Sequence, residues 1–385
     1  MLIFFGWSAN AQWNQISYGD RVNCMVANGT KLYVGLQNNG VFFYNGFAWY
    51  NANFQPGAGM PSHIYSIAIN GTRIVAGTEA RMGFSGNLNG GSWTYPYFAG
   101  MVNNAEVYSL ATSGSNIFAG TQYAMHMSSD YGSTFHHLYS GMPSYASVYS
   151  LLISGTNIFA GTNYGLFLTS DNCNNWTEVT NGLPPSGQAT FYSLATSGSN
   201  IFAGTLGGGV FLSTDNGNNW TAINSGLTNT DVDALAISGT NIFAGTSSGV
   251  FKSTNNGSTW SDFSTGLTGN GLDVTSLVIY NSDIYAGTNN GVWYSSISMG
   301  IKELAINNEI SISPNPFTSQ TTISFNKELQ SATIKIVDVV GKEVKNINFS
   351  GKEIILEKGE LRVGVYFVQV QSEERIYNKK IIIQH

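Results

Sequence analysis

Residues 191–205 read FYSLATSGSNIFAGT, and this stretch decides the fold. Two short runs rich in aromatic, aliphatic and small residues, Phe191–Thr196 and Ile201–Gly204, lie on either side of a Ser-Gly-Ser-Asn turn. This pattern is typical of a β-hairpin, because glycine tolerates the positive φ of a tight turn. Val210–Ser213 and Trp220–Ile223 add two more runs of the same kind. The segment therefore predicts a unit of four antiparallel strands.

A glycine-centred triplet repeats this unit through the first 300 residues. It closes the second predicted strand of each unit, and its seven versions are Val34-Gly35-Leu36, Ala76-Gly77-Thr78, Ala119-Gly120-Thr121, Ala160-Gly161-Thr162, Ala203-Gly204-Thr205, Ala244-Gly245-Thr246 and Ala286-Gly287-Thr288. Successive glycines lie 41 to 43 residues apart. A period of about 40–45 residues with four strands per repeat is typical of a β-propeller. The sequence thus predicts an all-β fold, a seven-bladed β-propeller.

The two ends of the repeat region complement each other. The seventh repeat stops after Val292–Ser295 without a fourth strand, whereas Trp13–Ile16 matches the fourth strand Trp220–Ile223 and precedes the first repeat. An open ring would leave unpaired strand edges, which promote aggregation. We therefore expect the N-terminal segment to pair with the last repeat and close the ring.

A second motif occupies the turn between the third and fourth strands. Ser213–Trp220 fits Ser-x-Asp-x-Gly-x-x-Trp, and related versions stand at Ser128–Phe135, Thr169–Trp176 and Ser253–Trp260. This motif resembles the Asp-box of sialidase-like propellers. The resemblance implies structural roles in the turns, on the face opposite the functional one, for Asp130, Asp171, Asp215 and Asn255. Sialidase activity is not expected, because the repeat region has only three arginines and lacks a Phe-Arg-Ile-Pro motif.

Catalytic groups are sparse in the repeat region. Glycosidases need two opposed carboxylates, and Asp233 and Asp273, at or near the start of first strands, are the candidates for such a pair. Exposed loop acids more often serve only solvation, so an enzyme is the less favoured hypothesis. The five histidines show no metal-ligand spacing, and we expect neither a metal nor a cofactor.

A binding surface is the favoured alternative. The loops between second and third strands lie near the expected axis and supply the candidate ligand-binding residues Gln37, Asn38, Glu79, Arg81, Tyr123 and Tyr164. Tyrosine rings and amide groups suit sugar or peptide ligands. The competing interpretation is that these aromatic rings only pack between blades.

The composition changes near residue 300, where the chain becomes richer in charged residues. Motif residues follow in the order Pro314, Asn315, Pro316, Asp338, Gly341, Lys342, Gly364, Tyr366, Lys379 and Lys380. This segment resembles the type A C-terminal sorting domain of the type IX secretion system of Bacteroidetes. The resemblance implies export across the outer membrane, with the translocon and sorting machinery as partners. About seven short alternating strands predict a small β-sandwich, and the alternative is an adhesive sandwich that stays on the mature protein.

We expect four segments: a signal peptide at 1–11, the propeller at 12–299, a linker at 300–309 and the sorting domain at 310–385. Ala9-x-Ala11 fits signal peptidase, although a basic n-region is missing, which leaves open an upstream start codon or a buried strand. The repeat region lacks the basic surplus that nucleic-acid binding requires, and no run is long enough to span a membrane.

The sequence therefore predicts a secreted, extracellular or surface-exposed monomer that acts as a binding or adhesion module for a glycan or protein ligand. A glycan-active hydrolase is the second hypothesis, and a purely structural surface protein is the third. The two cysteines, Cys24 and Cys173, fall in small-residue positions of distant repeats and are expected to be free thiols.

Overall fold

The computed structural model describes residues 13–17, 19–52, 63–79, 82–85, 87–89, 93–94, 105–138, 140–297, 310–338, 343–372 and 376–384. The expected signal peptide 1–11 and linker 300–309 lie outside these ranges. The chain divides into two compact units, Met1–Met299 and Gly300–His385. Both cysteines are free.

Within the described ranges, the first unit contains seven four-stranded antiparallel sheets, numbered 1 to 7 in chain order. The strands of sheets 1 to 3 are Val22–Ala27, Leu32–Leu36, Val41–Tyr44 and Trp49–Asn51; Ile64–Asn70, Arg73–Thr78, Met82–Ser85 and Trp93–Thr94; Val107–Ser113, Asn116–Thr121, Met125–Ser128 and His136–Leu138. Those of sheets 4 to 6 are Val148–Ser154, Asn157–Thr162, Leu166–Thr169 and Thr177–Val179; Phe191–Ser197, Asn200–Thr205, Gly209–Ser213 and Thr221–Ala222; Val232–Ser238, Asn241–Thr246, Gly249–Ser253 and Ser261–Asp262.

Sheet 7 joins the two ends of the repeat region. Its first three strands are Val274–Tyr280, Asp283–Thr288 and Gly291–Ser296, and its fourth is the N-terminal strand Asn14–Gln15. The pairing expected from the sequence is present, with Asn14 opposite Tyr294. Among the described residues the helical content is one 3₁₀ turn, Gly269–Leu272.

Trp13 secures this N-terminal strand. Its side chain is buried, its ring packs edge-on against Phe263 at 5.9 Å, and its indole N–H donates to the Phe263 carbonyl at 2.6 Å. A buried tryptophan combines a large apolar surface with one satisfied donor. The strand is therefore held by sheet 6 as well as by sheet 7.

The seven sheets pack side by side, each first strand against the first strand of the next sheet, and the first strand of sheet 7 packs against that of sheet 1. The triplet glycine marks every seam. A Cβ atom added to Gly161 would lie 2.6 Å from the Phe191 carbonyl oxygen, and one added to Gly287 would lie 2.4 Å from a Val22 methyl group. The contact from sheet 7 to sheet 1 therefore has the same form as the others.

We predict that Gly161→Ala destabilises the first unit. The new methyl group would meet the Ser150 hydroxyl at 2.3 Å and the Phe191 backbone, and overpacking of this kind costs about 1–3 kcal/mol or more. Gly155→Ala is the control, because Gly155 lies in the hairpin turn of the same sheet with open space around it and a φ of +63°. Its cost is that of the left-handed conformation, roughly 1–2 kcal/mol. The measurement is denaturant unfolding. A Gly161→Ala variant as stable as the wild type would contradict the close packing of Gly161 against the next sheet.

One position in sheet 3 departs from the repeat pattern. His126 faces Ala119 across the sheet, where sheets 4 to 7 have Phe167, Phe211, Phe251 and Trp293 facing the triplet alanine. The imidazole is fully buried, stacks on His137 at 4.8 Å, and has no hydrogen-bond partner at either nitrogen among the residues that the structure describes. Burial, with a smaller contribution from His137, lowers the pKa of His126 to about 3.

We predict that His126→Phe stabilises the protein by roughly 1–3 kcal/mol, because a buried unsatisfied polar group is replaced by the aromatic residue of the sister repeats. The lowered pKa means that the wild type loses stability as the pH falls below about 6.5, at up to about 1.4 kcal/mol per pH unit. The variant should lack this dependence. His136→Phe, on the exposed side of the neighbouring strand, is the control for thermal melts at several pH values. Equal acid sensitivity of His126→Phe and the wild type would refute the assignment.

The second unit is a five-stranded antiparallel sheet within the described residues. Its strands are Ile310–Ser313, Gln320–Asp338, Glu343–Glu357, Gly364–Ser372 and Ile376–Ile383. Two of them are long, 19 and 15 residues, where the sequence predicts about seven short strands. The polar segment between Phe325 and Ala332, which looks like a break in the sequence, continues as an irregular strand with shifts of register.

Candidate functional site

Every sheet of the first unit begins with a β-bulge. In each first strand the second residue has no partner in the register of the second strand, as Tyr108 shows between Val107 and Ser109. A bulge leaves the extra residue outside the ladder and re-aims its side chain. The seven bulge residues are Asn23, Tyr65, Tyr108, Tyr149, Tyr192, Asp233 and Thr275.

All seven bulge residues line one cavity of about 510 Å³, together with Arg21, Gln37 and His63. This central cavity lies where the first strands begin. The size falls within the range of about 300–1,000 Å³ that is common for small-molecule sites. The repeat thus delivers one side chain from each sheet to a single site.

Four adjacent sheets supply a continuous tyrosine arc to the cavity wall, made of Tyr65, Tyr108, Tyr149 and Tyr192. Ring centroids of neighbours lie 5.0 to 5.4 Å apart, the middle pair is stacked, and the two outer pairs meet edge to face. Such spacings are favourable for aromatic pairs. The Glu106 carboxylate accepts hydrogen bonds from the hydroxyls of Tyr65 and Tyr108, so one end of the arc is held in place.

The opposite wall is polar and charged. Asp233 is half-buried there, and burial first, then the charges of Asp273 and Asp231, raises its pKa to about 6. Arg21 acts in the opposite direction and favours the carboxylate. Between them in the ring, Thr275 donates to the Val22 carbonyl, so its hydroxyl is engaged in the seam between sheets 7 and 1.

The candidate residues named from the sequence divide into three groups. Gln37 lines the cavity. Glu79 lies at its edge, 3.4 Å from the ring nitrogen of His63. Asn38 instead donates from its side chain and backbone to the buried Asp20, at 3.0 Å each, and so orders its own loop. Arg81 lies outside the described residues.

Tyr123 and Tyr164 are not part of the cavity wall. Tyr123 is 45% exposed, and Tyr164 is half-buried against Tyr145, with ring centroids 5.3 Å apart. The Asp273 carboxylate accepts from the Asn289 side chain and acts on Asp233 through its charge. Of the proposed catalytic pair, only Asp233 therefore has its side chain in the cavity wall.

Sequence reasoning missed the tyrosine arc. The signal was available, because aligning the repeats on the glycine triplet places all seven bulge residues at the second position of the first strand. Alternation alone does not reveal their direction, since a bulge interrupts the two-residue period of a strand.

The third-to-fourth strand turns contain self-satisfied carboxylates. Asp215 accepts from the Asn219 backbone at 2.9 Å, from its side chain at 2.7 Å and from the Ser213 hydroxyl at 2.8 Å. These bonds, those with Asn219 first, lower the pKa of Asp215 to about 2. Equivalent bonds are made by Asp130, Asp171 and Asn255. Because neighbouring strands run in opposite directions and the first strands begin at the cavity, the turns between third and fourth strands lie at the opposite end of the sheets.

In the second unit, Asn315 connects the Pro-Asn-Pro segment to the last strand. Its side chain donates to the Lys380 carbonyl and accepts from the Ile382 backbone, each at 2.8 Å. Pro314 and Pro316 are exposed beside it, and the Pro314 carbonyl accepts from Thr321. Phe317, next in the chain, is buried and exchanges backbone bonds with Ile382 and Gln384.

The remaining motif residues of the tail lie apart from this contact. Gly364 opens the strand that carries Tyr366, which is buried and donates to the Arg362 carbonyl at 3.0 Å. Lys379 is half-buried and Lys380 exposed on the last strand, and Asp338 is half-buried at the end of the long strand. Gly341 and Lys342 lie outside the described residues.

Residues 311–384 match a family described as the secretion system C-terminal sorting domain. This match indicates export by the type IX secretion system to the cell surface or outside. No curated protein matches the chain. In the described part of the chain, no helix is long and apolar enough to span a membrane, and no cluster of three or more potential metal-binding side chains occurs.

Solved structures show what the fold resembles. The extracellular domain of a putative one-component system from B. thetaiotaomicron matches at 14% identity over 96% of this chain and 52% of its own, with a TM-score of 0.62. PorZ, a surface component of the type IX secretion system of Porphyromonas gingivalis, matches at 16% over 100% and 61%, with a TM-score of 0.57. A GH74 xyloglucanase from Xanthomonas campestris matches at 14% over 82% and 59%, with a TM-score of 0.58.

These likenesses show a β-propeller fold and no more. The chain spans only about half to three fifths of the three proteins. With the geometry above, they define the chain as a propeller protein that carries a secretion-system sorting domain.

We predict that Asp233→Asn stabilises the ligand-free protein at about pH 8 and not at about pH 4. An unfolded aspartate titrates near pH 3.9, so the raised pKa gives a stability that is complete below that value and is lost as the pH rises through about 6. The asparagine removes this loss. Asp262→Asn, on an exposed strand of the same sheet, should show no pH-dependent difference. The measurement is denaturant titration at several pH values. If the difference in unfolding free energy between Asp233→Asn and the wild type did not change with pH, the raised pKa of Asp233 would be disproved.

Proposed function

We propose that this protein is an exported seven-bladed β-propeller that binds an extracellular glycan or protein ligand in the central cavity. The observation that carries the proposal is the convergence of seven bulge side chains on one 510 Å³ site. Seven sheets with a repeated glycine seam, including the seam from sheet 7 to sheet 1, support the blade count.

The residue types at the bulge position are those expected of a binding site rather than of a packing position. The residues before and after it are conserved in type among the repeats because they form the seam, as Val107 and Ser109 do in sheet 3. The bulge residue itself changes between tyrosine, asparagine, aspartate and threonine without altering the backbone. Asn23 and Thr275 donate to the Ile64 and Val22 carbonyls across the seams, whereas Asp233 and the tyrosines present their side chains to the cavity for ligand contacts.

A glycan hydrolase is the second candidate, favoured by one observation. The raised pKa of Asp233, beside Asp231 and Asp273, is the kind of shift that a general acid needs. Against it, the second acid of a glycosidase must face the first across the substrate, and Asp273 is hydrogen-bonded to Asn289 instead. The binding assay below also monitors cleavage of each bound glycan, and turnover that is lost in Asp233→Ala would favour the enzyme.

The proposal extends to the turns of the first unit and to the architecture of the second. The Asp215-type turns are Asp-box turns with a structural role. In the second unit, both halves of Gln320–Asp338 contribute to one apolar core, through Ile323 and Phe325 in the first half and Ile334 and Ile336 in the second. Both halves pair with Glu343–Glu357, but on the other side the first half pairs with Ile310–Ser313 and the second with Gly364–Ser372, so we interpret the unit as a small β-sandwich built on two shared long strands.

We predict that Tyr108→Ala combined with Tyr149→Ala abolishes ligand binding. Truncation of two stacked rings removes the middle of the arc, at about 1–3 kcal/mol for each ring. The measurement is a screen of immobilised glycans and peptides, followed by titration of each hit. Tyr131→Ala is the control, since Tyr131 is 55% exposed in a turn at the other end of sheet 3.

The combined variant Tyr123→Ala plus Tyr164→Ala separates the cavity from the outer loops. Binding that survives loss of Tyr108 and Tyr149 but not loss of Tyr123 and Tyr164 would move the site out of the cavity.

We predict that deletion of residues 310–385 retains the propeller in the periplasm of a bacterium that has the type IX system, because the sorting domain carries the export signal. Cell fractionation and surface protease treatment measure the outcome. A milder variant, Asn315→Ala, removes two hydrogen bonds to the last strand and should lower export without abolishing expression. Undiminished surface display of the truncated protein would refute this role.

A further inference from the structure

We infer that the central cavity binds the positively charged side chain of a lysine or arginine in a peptide ligand, seated between Asp233 and the tyrosine arc. The inference rests on the proposed function and names the ligand class of the same site.

The carboxylates around the cavity differ in what they have to bind. Glu106 accepts from two tyrosine hydroxyls, Glu79 lies against His63, Asp231 accepts from the Gly207 backbone at 2.9 Å, and Asp273 accepts from Asn289. Asp233 has no hydrogen-bond or ion-pair partner among the described residues and lies in the cavity wall. A half-buried carboxylate without a protein partner has lost part of its hydration, and a bound cation would supply the missing partner.

The tyrosine arc strengthens the preference for a cation. Tyr192 is the ring of the arc closest to Asp233 in the order of the sheets, and the charges of Asp233 and Asp231 help to raise its pKa. A cation placed over an aromatic face is attracted by the ring quadrupole. The site therefore offers a carboxylate on one side of the charge and aromatic rings on the other.

The ring geometry favours a slender side chain over a sugar. A pyranose stacks on an open aromatic face, but Tyr108 and Tyr149 stack on each other, and the outer rings meet them at 72° and 63°. The alkyl stem of lysine or arginine is narrow enough to lie along the cavity-facing edges of these interlocked rings while its charged end reaches the carboxylate.

Arg21 fixes where the cation goes. Arg21 lines the same cavity without an ion pair among the described residues, and in the order of the sheets Thr275 stands between it and Asp233. Like charges repel, so the ligand cation is directed toward Asp233 and away from Arg21. Removal of Arg21 should therefore strengthen binding, which is the opposite of the effect expected for Asp233.

The test is fluorescence anisotropy on the full chain at low salt with two labelled peptides, acetyl-Gly-Gly-Lys-Gly-Gly-amide and the same peptide with Gln for Lys. At about pH 8 the lysine peptide should bind at least ~10-fold tighter than the glutamine peptide. Asp233→Asn should abolish this preference, Asp262→Asn should retain it, and Arg21→Gln should strengthen lysine binding a few fold.

The same preference should fade in the wild type as the pH falls below about 6, because Asp233 takes up a proton. The groups that act on its charge are Asp231, Asp273, Arg21 and Tyr192, and Asp233→Asn should be insensitive to this change.

Equal binding of the two peptides, or an unchanged preference in Asp233→Asn, overturns the inference. So does a glucosamine trisaccharide that competes more strongly than the lysine peptide, because the cavity would then be an amino-sugar site. Loss of binding of both peptides in Tyr108→Ala plus Tyr149→Ala, without a lysine preference, leaves the proposed function standing and removes only the inference. Unchanged peptide binding by the variant Tyr108→Ala plus Tyr149→Ala would contradict both the inference and the proposed function.

Discussion

The close approach between a glycine in the second strand of one sheet and the first strand of the next is the contact on which the first unit depends. With no side chain at Gly161 or its six equivalents, the second strand of each sheet packs closely against the apolar residue that begins the next sheet, and each sheet makes the same kind of contact with its neighbour. Repeated seven times, the contact brings the last sheet onto Val22 of the first. The ring then gathers the beginnings of all seven first strands at one place, and the cavity is a consequence of that arrangement.

The two ends of the sheets handle polar groups in opposite ways. At the Asp215-type turns every carboxylate accepts hydrogen bonds from its own turn, so these carboxylates are already engaged and do not serve to bind a ligand. At the cavity end, Asp233 and Arg21 lack such partners among the described residues, and the raised pKa of Asp233 predicts a lower stability of the protein at neutral pH. The other carboxylates of the cavity end, such as Glu106 and Asp273, do have partners, so it is the unpaired Asp233 and Arg21 that mark this end as the functional one.

Much of the fold could be read from the sequence, and the reason is physical. The repeated Ala-Gly-Thr triplet marks the contact between adjacent sheets, and Trp13 marks the fourth strand that the seventh repeat lacks. The strand order and the N-terminal pairing were therefore predictable. For the tyrosine arc, aligning the repeats gives the shared position but not the direction of the side chains, because the bulge that re-aims Tyr65 or Tyr149 depends on backbone register rather than on residue type. In the tail, the polar residues after Phe325 resemble a turn, but packing on both sides keeps the strand continuous, so two long strands stand where several short ones were expected.

The most direct test of the closed ring is a disulfide between Asn14→Cys and Tyr294→Cys, which face each other across the joining pair of strands. The variant is made with Cys24→Ser and Cys173→Gly, the residues of the sister repeats. Opposite residues in antiparallel strands lie about 4.5–5.5 Å apart at Cα, within the range that a disulfide spans. Mild oxidation should yield an intrachain cross-link, identified by peptide mass spectrometry, that raises the melting temperature. A chain that forms only intermolecular disulfides, or none, would show that the two ends do not meet and that the ring is open.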